Sequence, residues 1–215
     1  MSKSNKYGYS GVDIPTQAFK ANVGKFDPDE INELVAEGKW TTFGQLELIQ
    51  TQTFSSSTAV FSDLQEGTYT THLFTFTDIH FGSQTELDYL LSNDGGTSYE
   101  TNYQFANQRG ISDGSFQERK STGAGGARLC GDIDAGAHSL ANGYMYLYNA
   151  GNISRFTFST SHMVYTDFQD HAAMEVGGQV YPAKDVVSAI KFGEGVSAGS
   201  LTSATISLYG IKELS

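Results

Sequence analysis

Asp167, Asp170 and His171 stand within five positions of one another. Oxygen and nitrogen donors at that spacing could hold a divalent ion, and a plain polar loop accounts for them equally well. Asp132-Ile-Asp134 places two carboxylates on one face of a strand. That is the arrangement of a metal pair or an acid/base pair, and also of a solvated strand edge. The five histidines, His72, His80, His138, His162 and His171, contain no i, i+4 pair of a zinc protease and no HxH. No Gly-x-Ser-x-Gly elbow, Walker loop or Rossmann fingerprint occurs, so no cofactor is indicated. Cys130 is the single cysteine and reads as a small packed strand residue. Two carboxylates for glycan cleavage are available in many combinations, and nothing selects a pair.

Tyr144, Tyr146 and Tyr148 alternate, so on a strand all three point to one face. An exposed tyrosine stripe is a surface for a sugar ring or a protein partner. The alternative is that this face is the core or a subunit contact.

The 215 residues carry a formal net charge of -11, and this acidity repels phosphate polymers and anionic lipid alike. Arg119-Lys120 and Arg128 are too sparse to read a nucleic-acid groove. One cysteine permits no intrachain disulfide, which fits folding in a reducing cytosol. Met1-Ser-Lys-Ser-Asn-Lys6 leads into no apolar run, so no secretory signal is expected. No apolar stretch approaches the roughly 18 residues of a membrane helix.

The elements that must position these residues are strands. Charged residues are 17% and aromatics 13%, with 24 glycines, a composition that favours pleated, turn-rich structure. Period-two segments lie at Phe43–Ile49, Ala59–Leu64, Tyr69–Phe76, Leu87–Leu91, Ala127–Ile133, Tyr144–Tyr148, Arg155–Phe158 running on to Tyr165, Ala172–Val176, Val186–Phe192 and Thr205–Tyr209. Asn93-Asp-Gly-Gly96 predicts a hairpin returning through Tyr99–Phe105. Asn142-Gly143 and Gly177-Gly178 predict further turns, and the glycine-rich polar stretch 106–127 predicts a long loop. Nine to eleven strands without intervening amphipathic helices predict an all-β, jelly-roll-like antiparallel sandwich over residues 40–215.

Residues 1–39 form a different kind of segment. Tyr7, Tyr9, Phe19 and Phe26 are spread along an extended arm, and four aromatics are costly to leave in water. A short helix is expected at about 28–37. Asp27 caps it, Pro28 takes its first position, Glu30 closes a capping box and Gly38 stops it. Ile31, Leu34 and Val35 give it one apolar stripe. Three turns are marginal alone, so the helix needs a partner. The arm is therefore expected to dock its aromatics and this stripe on another surface.

Three segments carry a resemblance. Tyr7-Gly-Tyr-Ser-Gly11, Asp13-Ile-Pro-Thr-Gln17 and Gly24-Lys-Phe-Asp27 resemble arms of small virion proteins from marine tailed bacteriophages of the cyanophage kind. Leu90-Leu-Ser-Asn-Asp-Gly-Gly96 is similar to a hairpin of phage β-sandwich modules. Ala189-Ile-Lys-Phe192 and Ala204-Thr-Ile-Ser-Leu-Tyr-Gly-Ile211 are similar to their closing strands, with Ala204 where a Gly usually stands. The resemblance implies a virion structural protein, a tail appendage or adaptor or a capsid-decorating subunit, built on a jelly-roll-like sandwich. It implies other virion proteins and further copies of the chain as partners, location in a virion assembled in the host cytoplasm, and no catalytic residues. A carbohydrate-binding module for host surface glycans is the second expectation, and a glycan-cleaving enzyme the third.

Overall fold

The computed structural model describes residues 29, 32–33, 46–55, 58–193 and 201–212. Asp29, Asn32 and Glu33 are helical and exposed, inside the span assigned to the helix. Tyr7, Tyr9, Phe19, Phe26, Ile31, Leu34 and Val35 lie outside the described residues. The chain divides into two units, Met1–Gly44 and Gln45–Ser215, and the second holds all the described strands.

Those strands are β1 (Leu46–Phe54), β2 (Ala59–Phe61), β3 (Thr71–Phe81), β4 (Thr85–Ser92), β5 (Tyr103–Ile111), β6 (Phe116–Ala124), β7 (Ala127–Ile133), β8 (Ala141–Tyr148), β9 (Thr157–Thr166), β10 (Ala172–Tyr181), β11 (Ala189–Gly193) and β12 (Leu201–Ile211). One sheet has the order β1-β12-β3-β8-β9-β10-β5-β6 and the other β2-β11-β4-β7. All described pairings are antiparallel.

Setting aside the hairpins β5–β6 and β9–β10 leaves eight strands. These alternate between the sheets along the chain, except that β4 and β7 follow one another within the smaller sheet, and they form two four-stranded sheets, β1-β12-β3-β8 and β2-β11-β4-β7. That is the jelly-roll arrangement, so the expected fold class is the one observed. The two hairpins join edge to edge and extend the first sheet beyond β8.

Alternation builds the core. Phe74 and Phe76 of β3, Met145 and Leu147 of β8, and Ile206 and Leu208 of β12 face inward. From the opposite sheet, Phe192 meets Phe74 at 5.2 Å and Phe76 at 5.0 Å, and within its own sheet it meets Phe61 at 6.3 Å, all edge-on. Edge-on pairing sets ring hydrogens against ring faces, worth about 0.5–1.5 kcal/mol per pair beyond burial.

Several expectations need correction. Residues 106–127 are not a loop: they supply most of β5, all of β6 and the entry to β7. Asn93–Gly96 does turn, with Gly95 and Gly96 at φ 74° and 93°, but it folds no hairpin. It carries the chain from one sheet to the other, and β4 and β5 are not neighbours. Gly177-Gly178 lies inside β10, paired on both sides. Asn142-Gly143 likewise lies inside β8, where Asn142 Oδ1 accepts the Asp78 amide at 2.9 Å beside a bulge. The first described strand starts at Leu46, with 43–45 outside the described residues, and the second ends at Phe61.

Candidate functional site

The outer face of the eight-stranded sheet carries the tyrosine stripe. Met145 and Leu147 fill the core, so the alternate positions Tyr144, Tyr146 and Tyr148 point away from it. Tyr146 and Tyr148 stack at 6.2 Å with rings 18° apart. Tyr144 meets Tyr146 edge-on at 5.9 Å and His162 of β9 at 5.7 Å. The hydroxyls of Tyr148 and Thr160 share a hydrogen bond at 3.2 Å. The stripe is thus an ordered ladder on a rigid sheet, and it is not the domain core.

The same face is broadly apolar. Leu48 of β1, Phe158 and Val164 of β9, Met174 of β10 and Phe116 of β6 are all exposed, Phe116 at 79% and Leu48 at 60%. Their register places them outward with the ladder. Phe116, Met174 and Val164 lie in one row, and exposed apolar surface gathered in this way is the kind that marks interaction surfaces.

Beneath the sheet extension lies a charged interior. Arg109 of β5 is buried and donates through Nη1 to Asp132 Oδ2 at 2.9 Å and through Nη2 to Asp167 Oδ2 at 3.1 Å. Arg119 of β6 also donates to Asp132 Oδ2. Glu175 of β10 is buried and accepts from Asn107 Nδ2 at 2.9 Å, the Gly131 amide at 3.2 Å and the Tyr165 hydroxyl at 3.2 Å. Arg128 of β7 donates to Asp88 Oδ1 at 2.6 Å and to Glu86. Burial raises the Glu86 carboxyl while Arg128 opposes the rise. Gln179 completes the network, donating to the Arg128 carbonyl and the Ser161 hydroxyl, both at 3.0 Å. Each of these carboxylates serves as an acceptor for a guanidinium or an amide. The arrangement fastens the inserted hairpins to β7.

The other candidate groups separate. Asp132 has φ 58°, which breaks strand alternation, so Asp132 and Asp134 do not share a face as a pair. Asp134 Oδ2 instead accepts from the Ser139 hydroxyl at 2.6 Å and the Gly136 amide at 3.0 Å, and the hydroxyl bond pulls its carboxyl below the usual range. Asp167 spends Oδ1 on the amides of Gln169 and His171 and Oδ2 on Arg109. Asp170 is an exposed turn residue at φ 60°. Among the described residues no group of three or more His, Cys, Asp and Glu is arranged to hold a metal ion. Cys130 is buried in the core, and burial pushes its thiol well up.

Comparison with protein-family models, curated proteins and solved structures found no match. The function must be argued from the geometry.

Sequence reading found the ladder but missed what adjoins it. Arg109, Asn107 and Glu175 carried no signal, because their partners come from strands distant in sequence. Thr160 and Ala106 of the outer face also carried no signal, and Gly178 reads as a turn residue until register aligns it within β10.

Proposed function

We propose that this chain is a structural subunit of a phage particle, a tail appendage or adaptor or a capsid-decorating protein. On this reading residues 1–39 hold it to other virion proteins, and the jelly roll packs against neighbours or further copies. The observation that carries it is the outer face of the eight-stranded sheet. The sandwich presents Phe116, Met174 and Val164 in one outward row across β6, β5, β10 and β9, with Phe158 and the tyrosines on the same face, and such a face gains by being covered. The charged interior supports the same reading, because its groups act as fasteners of the fold. The test is mass spectrometry of purified particles separated into heads and tails. The chain is expected at structural copy number in one fraction. Its absence from particles of a phage that expresses it overturns the proposal. Removal of residues 1–38 is expected to abolish incorporation, and normal incorporation removes the anchoring role.

A second reading is favoured by the ladder itself. Ordered tyrosines on an outer face are a platform for sugar rings, so the same domain would recognise a host surface glycan. A glycan array probed with the protein tests it, and flat signals across bacterial polysaccharides count against it.

A further inference from the structure

The eight-stranded sheet ends at β6, which among the described residues pairs only with β5. Next to the turn of this hairpin the Ile111 amide donates to the Ser115 carbonyl at 3.0 Å. Antiparallel alternation therefore turns the backbone of Gln117 and Arg119 toward β5. It turns that of Phe116, Glu118 and Lys120 toward the open edge. From Phe116 to Ser121 the pairing with β5 runs without a bulge, and no proline interrupts it. Two of the devices that commonly blunt a sheet edge are thus missing.

Charge is a third such device, and on β6 it is self-complementary. Glu118 and Lys120 both stand on the outer face, exposed at 56% and 66%, and pair with each other at 2.8 Å. We infer that β6 pairs antiparallel with β6 of a second copy, about a two-fold axis through Arg119, so that two eight-stranded sheets become one. The inference rests on the structural-subunit reading and deepens it by naming the edge at which copies meet. In this register Glu118 lies opposite the second copy's Lys120, and Lys120 opposite its Glu118. These are residues whose backbone groups face the edge, so each such pair exchanges both of its backbone hydrogen bonds. Phe116 lies opposite the second copy's Thr122, an aromatic against a β-branched side chain. Arg119 meets its own equivalent on the inner face, where each guanidinium is already held by Asp132 of its own copy.

Other registers fail on the same residues. A slide of two positions sets Glu118 against Glu118 or Lys120 against Lys120. A slide of one brings the outer phase of one strand onto the inner face of the other. The opposite edge strand, β1, carries no charge from Leu48 to Phe54 and offers Glu118 and Lys120 no counterpart. The apolar row supports the joint as well. A Cβ on Gly110 would touch the Phe116 ring at 3.4 Å and Met174 at 3.6 Å, so Phe116 reaches over β5 toward Met174. The row therefore runs to the edge, and pairing covers Phe116, its most exposed member.

The test is sedimentation equilibrium of the full chain between about 1 and 300 µM, where a monomer–dimer equilibrium is expected. Glu118→Lys sets lysines against lysines, and Lys120→Glu sets carboxylates against carboxylates. Each variant alone is expected to self-associate at least about tenfold more weakly, with unchanged thermal melting because both positions are exposed. Mixed in equal amounts, the two variants regain opposite charges across the joint and are expected to form a heterodimer. Each has lost the contact within its own strand, so only pairing between copies explains that recovery. A monomer throughout the range overturns the joint. So do dimers that neither substitution weakens, variants whose mixture does not recover, and assemblies that grow beyond dimers. None of these results touches the virion reading, which the particle fractions decide. A dimer with the expected charge dependence, from a chain absent from particles, overturns that reading alone.

Discussion

Arg109 donates to Asp167 at 3.1 Å with both side chains buried, and this contact ties one inserted hairpin to the other. Arg109 lies on β5, and Asp167 follows β9 in the turn to β10. The same guanidinium reaches Asp132 on β7, so one residue joins the sheet extension to the smaller sheet. An eight-strand jelly roll closes its own core. Four additional strands add Tyr103, Met163, Tyr165 and Tyr181 to the core, and the rest of their interior is ionic.

Replacing Arg109 with Met strands Asp167 as an uncompensated buried charge. Breaking a buried pair in this way costs about 3–5 kcal/mol. Asp167→Asn is expected to cost less, because Asn keeps an acceptor for the Gln169 and His171 amides and leaves Arg109 its bond to Asp132. The double variant is expected to fall well short of the sum of the two. Urea unfolding of the four proteins measures the coupling, and strict additivity would mean that the contact carries none.

The jelly-roll strands were legible because one phase of their alternation is apolar, as in Phe74 and Phe76 or Ile206 and Leu208. The β5–β6 hairpin was not. Its inward phase holds Asn107, Arg109 and Arg119, and its outward phase holds Gln108, Glu118 and Lys120. With both faces polar, period two leaves no hydrophobic trace, and the glycines then suggest a loop. The tyrosine stripe was legible as a shared face but not as an outer one. Met145 and Leu147 on the opposite phase are just as apolar, and only the second sheet decides which phase it covers.

Tyr69 predicts how β1 is held. Its ring covers the face of Gly210 on β12, and its hydroxyl donates to Glu47 on β1 at 2.6 Å. The hydrogen bond lowers the Glu47 carboxyl and pushes the phenol up to about 12. Gly210→Ala puts a methyl against that ring, and overpacking of this kind costs about 1–3 kcal/mol. Tyr69→Phe keeps the ring and loses only the bond, about 1 kcal/mol. Hydrogen exchange is expected to quicken along β1 in both variants and more in the first. Unchanged exchange in Gly210→Ala would show that the ring does not hold this strand.

His72 predicts an acid limb of stability. Its Nε2 bonds the Leu64 carbonyl at 2.7 Å, and its Nδ1 is buried without a partner among the described residues. Burial pulls the imidazole below its ordinary 6.5, outweighing the Leu64 carbonyl and Glu66, which favour the charged form. Below that value the unfolded chain takes up the proton first. The contribution is fully present above about 6.5 and is lost as the pH falls through the folded-state value. One proton limits the slope to about 1.4 kcal/mol per pH unit. His72→Gln cannot charge, so its unfolding free energy is expected to fall less steeply between pH 7 and 5. Parallel slopes in the two proteins would remove His72 as the source.

Gly177 and Gly178 are adjacent in β10, yet they predict opposite responses to the same methyl group. Gly177 faces inward, where a Cβ would land on Asn107 Oδ1 and 2.8 Å from the Ala106 carbonyl oxygen. Alanine there must displace the side chain that donates to buried Glu175. The expected loss is about 2–4 kcal/mol, combining overpacking with a weakened bond to a buried charge. Gly178 faces outward with room above it and no left-handed backbone angle to relieve. Alanine there restricts the unfolded chain without straining the folded one, so stability is expected to rise by about 0.4–1 kcal/mol. Chemical denaturation of the two variants distinguishes them. A loss at Gly178 comparable to that at Gly177 would mean that both glycines serve the fold.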